Sequence, residues 1–370
     1  MRIVITGADG FIGRNLRVRL RELGHGDVFG VTRATLAAEI DDALRRTDFV
    51  FHLAGINRPQ DPSEFESGNA GFTEALCAAL AAVGCRAPIA FASSTQAELD
   101  NAYGRSKRDA EKTLLQHGRA HNVPVHLFRL SNVFGKWSRP NYNSAVATFC
   151  HNIARGLPIT VNDATAPLRL VYIDDLIAAF VALLAAPAAK GGLAEVGPVY
   201  DTTVGELADT LHGFAASRKT LTSPRVGTGL VRALYATYVS FLPPEAFAYE
   251  VPRHGDPRGI FVEMLKTPDC GQFSYFTAHP GITRGGHYHH SKTEKFLVIK
   301  GQARFGFRHI ETGQTHDIVT QGGEARIIET VPGWTHDITN IGDEELIVML
   351  WANEVFDRER PDTIALEVKS

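Results

Sequence analysis

The chain has 370 residues and a mass of 40.4 kDa, more than one ordinary domain needs, so two domains are expected. Apolar residues make up 44% and charged residues 21%, a composition that excludes a disordered or fibrous chain. Net charge is -3, from 38 basic and 41 acidic residues with no long basic run, which excludes a nucleic-acid backbone as partner.

The first two-thirds alternates short apolar runs with amphipathic stretches. Ile3-Val4-Ile5 reads as a strand that begins almost at the first residue, with no signal-peptide pattern before it. Ile12, Leu16, Leu20 and Leu23 follow at helical spacing, with Gly24 as a C-cap. Strands are expected at 28–31, 49–51 and 89–91, and helices over 35–46, 70–83 and the alanine-rich 178–189. Such alternation means a parallel sheet with crossover helices. A further helix is expected around 228–241. No stretch reaches 18 apolar residues, so no membrane span is expected. Cys77, Cys85, Cys150 and Cys270 form no CxxC pair and read as buried thiols of a cytoplasmic protein.

From about 255 the pattern changes to short runs rich in β-formers, at 273–277, 296–299, 303–309, 325–331 and 346–351. Their spacing suggests a sandwich or barrel. The division is placed at Pro243-Pro244, giving domains 1–243 and 244–370. Residues 244–370 carry 13 Lys/Arg against 19 Asp/Glu and hold 8 of the 15 histidines. That enrichment points to a metal or acid–base site.

Thr6-Gly7-Ala8-Asp9-Gly10-Phe11-Ile12-Gly13 is a GxxGxxG loop between a strand and a helix. Its glycines let the backbone approach a pyrophosphate, whose charge the helix N-terminus favours. The next strand ends in Thr32-Arg33, where an acidic residue would hold ribose hydroxyls. An arginine there suits the 2′-phosphate of NADP(H). Tyr103-Gly104-Arg105-Ser106-Lys107 is YxxxK, which puts Tyr103 and Lys107 on one helix face. A nearby ammonium and a positively charged nicotinamide both favour tyrosinate and lower the tyrosine pKa. Ser93-Ser94-Thr95 closes the strand before it, where a hydroxyl could meet a substrate oxygen.

This ordered set resembles the extended short-chain dehydrogenases/reductases that act on nucleotide sugars. The resemblance covers about 1–240 and implies a Rossmann-type doubly wound parallel sheet. His52-Leu53-Ala54-Gly55 matches the family's cofactor-side strand end. Arg129 to Gly135 and Arg169 to Asp175 match its substrate-side segments. By resemblance Ser94 orients the carbonyl, Tyr103 donates the proton, Lys107 holds the cofactor ribose, and Asn132 and Arg169 contact substrate. The stretch from Arg33 to 48 is too short for the family's usual extra strand, which puts the adenine contacts in doubt.

In the second part, Gly281 through His287-Tyr288-His289 and Glu294 to Gly301 fits G-x5-H-x-H-x4-E-x6-G, the first cupin motif. Alternation puts His287 and His289 on one strand face. Pro332-Gly333-Trp334-Thr335-His336-Asp337-Ile338-Thr339-Asn340 resembles the second motif with one residue missing. Three histidines and a carboxylate, His287, His289, Glu294 and His336, suit zinc, iron, manganese or nickel. Asp256-Pro257-Arg258-Gly259 and Arg284-Gly285-Gly286-His287 also resemble the deoxysugar 3,5-epimerases, which implies substrate contacts at Arg258 and Arg284. In those enzymes the histidine at the position of His287 is the general base. A coordinated His287 cannot be that base, so His290, Lys292 or a tyrosine would carry the proton, and His290 is the candidate taken.

Longer stretches, such as Phe134-Gly135-Lys136-Trp137, Pro140 to Ser144, Lys266 to Asp269 and Asn353 to Asp357, resemble the bifunctional capsular-polysaccharide enzymes of the CapF/WbjC type. That family fuses an extended reductase to an all-β cupin, a double-stranded β-helix. The resemblance implies a UDP-linked deoxy keto-sugar substrate, C3 epimerisation by the cupin, NADPH reduction of the C4 ketone, zinc and a homodimer. The residues alone leave open a monofunctional reductase with a structural cupin, a non-catalytic NADP sensor, and a reductase for another keto sugar.

Overall fold

The computed structural model describes every residue except 62, 188, 257, 258, 263, 264, 266, 268–270, 355–358 and 370, and only the backbone of 253–256, 259–262 and 272. Cys270, Arg258 and most of the stretches 256–259, 266–269 and 353–357 singled out above therefore lie outside the described residues or side chains. The chain forms two compact units that do not follow chain order. Unit 1 is Met1–Phe134, Asn141–Ser144 and Leu168–Asp201, and unit 2 is Gly135–Pro140, Ala145–Pro167 and Thr202–Ser370.

Unit 1 is built on strands β1 (Ile3–Thr6), β2 (Val28–Val31), β3 (Phe49–His52), β4 (Ile89–Ser94), β5 (Val125–Leu130), β6 (Asn132–Phe134), β7 (Pro167–Tyr172), β8 (Gly192–Ala194) and β9 (Val199–Thr203). The main sheet is all-parallel in the order β2-β1-β3-β4-β5-β8. β2 is its edge, because the short helix Ala37–Leu44 leads the chain straight back to β3 on the other side of β1. The missing extra strand is thus a real feature of the sheet.

A parallel sheet covered by helices on both faces has uniformly buried strands, and β1, β3 and β4 are buried along their length. Alternation on β3 sends Phe49 and Phe51 to one face, where Phe51 meets Phe180 of the helix Ile173–Ala185 at 5.5 Å between rings. Val50 faces the other way, into a cluster with Leu76, Cys77 and Leu114. The helix expected over 178–189 stops at Ala185 ahead of Pro187, which cannot continue it. The helix expected over 70–83 is Phe72–Ala82, preceded by a π-helical turn over Glu66–Gly71. Cys77, Cys85 and Cys150 are free and buried.

Unit 2 carries strands β10 (Ala248–Glu250), β11 (Arg253–Asp256), β12 (Gly259–Val262), β13 (Gln272–Ala278), β14 (Thr283–Tyr288), β15 (Glu294–Lys300), β16 (Gln302–His309), β17 (Thr315–Gln321), β18 (Arg326–Glu329), β19 (Trp334–Asn340), β20 (Leu346–Ala352) and β21 (Ile364–Ala365). They make two five-stranded antiparallel sheets, β10-β18-β15-β20-β13 and β17-β16-β19-β14-β21, and a hairpin β11-β12. Phe296 of β15 and Phe305 of β16 meet between the sheets at 5.7 Å, and Phe247 packs edge-on to Trp334 at 5.1 Å. This is the double-stranded β-helix expected of a cupin. Helices Ala145–Ile153, Val204–Thr220 and Gly229–Ser240 belong to the same unit.

Candidate functional site

The glycine loop of unit 1 leaves β1 and opens the helix Phe11–Glu22. Gly7 and Ala8 donate their N–H groups to Val31 O at the end of β2, at 3.0 and 3.3 Å. The loop then folds so tightly over the helix start that a Cβ on Gly13 would lie 2.3 Å from Gly7 O. Only glycine fits there. No side chain caps this helix, and its first turn holds no acidic residue. Its N–H groups and dipole are left for an anion, as a dinucleotide site needs. Arg33 is exposed just past the end of β2.

Behind the loop runs a buried hydrogen-bond chain. Thr73 Oγ1 donates to Asn69 O at 2.8 Å, so it must accept from His52 Nε2 at 2.9 Å. His52 Nδ1 is then the acceptor, and Thr6 Oγ1 donates to it at 2.8 Å. The Thr6 oxygen in turn accepts from the N–H groups of Leu53 and Ala54, both at 3.1 Å. Burial, with the Lys107 charge, pushes His52 down to about 3, so it stays neutral. Asn69 continues the chain. It pairs with Ile56 N and O at 2.8 and 3.0 Å and donates to Ser106 Oγ, which donates to Tyr103 O. Sequence reasoning missed Thr6, Asn69 and Thr73. Their signal was faint, a polar residue at each point where strand or helix meets the loop.

Ser94, Tyr103 and Lys107 converge. Asn101 caps their helix by accepting from Gly104 N at 2.7 Å, which sets Tyr103 in its first turn. Ser94 lies close enough to the Tyr103 hydroxyl to favour its ionised form. Burial pushes the Tyr103 pKa up, with Ser94 opposing. Lys107 Nζ donates to Ala92 O at 3.0 Å and lies 5.9 Å from the Tyr103 ring centroid. Burial pushes Lys107 down to about 8, against the pull of Glu111. Asn132 and Arg169 are neighbours, with Asn132 Nδ2 donating to Arg169 O at 3.3 Å and Arg169 paired to Asp201 at 3.2 Å.

The second centre lies in unit 2. His287 of β14 stands directly opposite His336 of β19 in the ladder. A bulge between Gly285 and His287 aims this strand, and both bulge glycines take positive φ, +102° and +72°. A Cβ on Gly285 would lie 2.9 Å from His336 O. His287, His289, Glu294 and His336 each offer one ligand atom, all within 4.8 Å of one another.

His289 Nδ1 faces Asp362 O, which can only accept, so Nδ1 carries a proton. In the neutral ring Nε2 then turns a lone pair toward Glu294 Oε2, 3.1 Å away. His336 Nε2 lies 3.5 Å from that same oxygen, and neither of its ring nitrogens makes a well-formed hydrogen bond among the described residues. Burial, then His336 and His289, pushes His287 down to about 3, leaving a lone pair to donate. Burial opposes the Glu294 charge, but His289, His336 and Lys292 hold its carboxyl well below the usual range. Three imidazoles and a carboxylate with their donor atoms this close fit a transition-metal ion.

Lys292 reaches the cluster, with Nζ 2.9 Å from Glu294 Oε1. His290 stands outside the four, its ring 5.7 Å from that of Tyr288. Arg284 is exposed, donates to Thr277 O at 3.2 Å and lies over the Phe276 ring at 5.1 Å.

Comparison with known proteins gives the same two parts. Residues 3–197 match the NAD dependent epimerase/dehydratase family, and residues 254–364 match the polysaccharide biosynthesis C-terminal domain. A Pseudomonas aeruginosa protein, UDP-2-acetamido-2,6-beta-L-arabino-hexul-4-ose reductase, is 58% identical over 368 residues, 100% of this chain and 99% of its own. The crystal structure of the capsular polysaccharide assembling protein CapF from Staphylococcus aureus superposes with a TM-score of 0.69 at 40% identity, covering 99% of this chain and 100% of that one. UDP-glucuronic acid 4-epimerase from Bacillus cereus, in complex with NAD, shares the fold over 65% of this chain and 98% of its own, at a TM-score of 0.54 and 19% identity.

Proposed function

We propose, for a chain that belongs to the NAD dependent epimerase/dehydratase family, that it is a bifunctional nucleotide-sugar enzyme. Its substrate is a UDP-2-acetamido-2,6-dideoxy-4-hexulose. The cupin module, 244–370, inverts C3, and the reductase module, 1–243, then reduces the C4 ketone with NADPH. The product is UDP-2-acetamido-2,6-dideoxy-L-talose, toward UDP-N-acetyl-L-fucosamine for capsule or O-antigen. The protein acts as a cytoplasmic homodimer. The observation that carries this reading is the convergence of Ser94, Tyr103 and Lys107 behind an uncapped glycine-loop helix.

Each residue has a task that its surroundings suit. Ser94 and Tyr103 hydrogen-bond the ketone oxygen. The buried Tyr103 phenol is held protonated, the form a reductase needs when hydride arrives at C4. Lys107 holds the nicotinamide ribose and favours the phenolate left behind. Gly7, Gly10, Phe11, Ile12 and Gly13 seat the pyrophosphate, Leu53, Ala54 and Gly55 line the cofactor, and Arg33 pairs with the 2′-phosphate. Asn132, Arg169, Arg258 and Arg284 contact the substrate.

In the cupin, His287, His289, Glu294 and His336 hold a divalent metal, with zinc proposed. When bound, that ion supplies positive charge for the oxygen of a developing enolate. The C3 proton falls to a side chain outside the ligand set, His290 or Lys292.

The test is proton NMR of the UDP-4-keto-6-deoxy-N-acetylhexosamine with the protein in heavy water. Without NADPH, deuterium is expected at C3 beyond a no-enzyme control. With NADPH, the ketone is expected to disappear stoichiometrically with cofactor oxidation, and Tyr103→Phe is expected to abolish that step alone. His290→Gln and Lys292→Gln in the exchange assay separate the two bases. No exchange in the parent protein would reduce the function to that of a ketone reductase.

A further inference from the structure

The segment that joins two ligands of the metal cluster, 290–293, is held by a residue far along the chain. Asp362 accepts from three successive backbone N–H groups. Its Oδ1 takes His290 N at 2.9 Å, and its Oδ2 takes Ser291 N and Lys292 N, both at 2.7 Å. Ser291 Oγ adds a fourth donor at 3.1 Å. The same residue's main-chain carbonyl accepts the Nδ1 proton of His289. One residue therefore fixes both the path of the segment and the ring at its start.

We propose that Asp362 is the positioning residue of the metal centre: its carboxylate anchors 290–292, and the carbonyl so placed fixes the His289 tautomer with Nε2 turned to the cluster. This rests on the metal reading above. A carbonyl partner on the far nitrogen does two things. It prevents the ring from flipping, and it leaves the near nitrogen as the only lone pair. The carbonyl belongs to the backbone, so substitution of Asp362 leaves it in place but unanchored. The three N–H groups would then turn to water, and the ring would lose its fixed orientation.

The experiment is metal binding by the full chain, stripped of metal and titrated with Zn2+ against a chromophoric chelator, with Co2+ absorption as a second readout. Asp362→Ala is expected to weaken Zn2+ binding by about 10–100-fold and to alter the Co2+ ligand-field bands. Asp362→Asn keeps one acceptor oxygen and is expected to fall between. Ile327→Val, a fully buried methyl removed from β18, controls for lost stability and is expected to leave Zn2+ affinity unchanged. Folded Asp362→Ala that binds Zn2+ within about twofold of the parent, with the same Co2+ spectrum, overturns the assignment. So does an Ile327→Val protein that loses as much affinity. If Asp362→Ala does not fold, Asp362→Asn decides by the same criteria. A parent protein that takes up no divalent ion overturns the metal reading itself, and the assignment with it.

Discussion

Thr6→Val tests the buried chain behind the glycine loop. Valine has the shape of threonine but no hydroxyl, and Thr6 is 1% exposed, so water cannot replace what is lost. The hydroxyl makes three hydrogen bonds, one to His52 Nδ1 and two from Leu53 and Ala54. Leu53 N keeps a second acceptor, Thr6 O at 3.2 Å, so two groups are orphaned, His52 Nδ1 and Ala54 N. A buried polar group left unpaired costs about 1–3 kcal/mol. The variant should therefore lose about 2–6 kcal/mol. Thr6→Ser keeps the hydroxyl and gives up one buried methyl, about 1 kcal/mol. Trp137, Trp334 and Trp351 all lie in unit 2, so fluorescence does not report on unit 1. The assay is urea unfolding with hydrogen exchange read on peptides spanning 49–56. A valine variant within about 1 kcal/mol of the parent, or no worse than the serine variant, would refute the accounting.

Other expectations concern the chemistry. Lys107 is held down to about 8 from its ordinary 10.5, so its cation is present below that pH and lost as pH rises through it. kcat/KM for NADPH, which reports the free enzyme, should fall above pH about 8, and Lys107→Met should remove that limb. Arg33→Ala should raise the KM for NADPH about tenfold and leave that for NADH unchanged, since only NADPH carries the 2′-phosphate. Chelation of divalent ions should abolish C3 deuterium exchange. It should leave NADPH-dependent reduction of the already epimerised ketone intact, and loss of both together would contradict separate centres.

Local rules carried most of the fold into view. The runs rich in β-formers at 273–277, 303–309 and 346–351 are strands, and the observed strands extend them by one residue at one or both ends. The short link from Arg33 to β3 had room for one helix, and that spacing alone makes β2 an edge. The metal donors were legible for a like reason. The cupin motif named them, and the structure puts His287 on β14, His289 just past its end and Glu294 at the start of β15. Asp362 was not legible, because nothing in a Pro-Asp-Thr triplet says which backbone it will hold, 73 residues away from His289. The upward push of burial on Tyr103 was not legible for a different reason. Spacing reveals which charge is near, while burial, the larger effect here, depends on everything packed around the helix.

Burial also explains why unit 2 draws in helices from the first two-thirds of the chain. Glu329 of β18 is 1% exposed, and an ionised carboxylate there needs partners. Lys295 of β15 supplies one charge from the neighbouring strand. The rest comes from helices: Arg218 donates from 2.9 Å and Tyr235 from 2.8 Å. Burial opposes its charge, yet Lys295 and Arg218 hold Glu329 down to about 2. The metal segment is tied the same way. Arg232 bonds both Ser291 Oγ and Glu354 Oε2, and Asn353 Nδ2 reaches Val226 O and Ser291 O. Removing one member of a buried ion cluster costs about 3–5 kcal/mol, because the remaining charge stays behind unpaired. The β-sandwich therefore depends on residues 218–240 for its own charge balance, and the loop that carries His289 and Glu294 is braced by the same helices. A boundary drawn where the sequence pattern changes, at 243, marks a change of secondary structure. The compact unit that holds the metal donors reaches further back, taking in Thr202–Ser370 with Gly135–Pro140 and Ala145–Pro167.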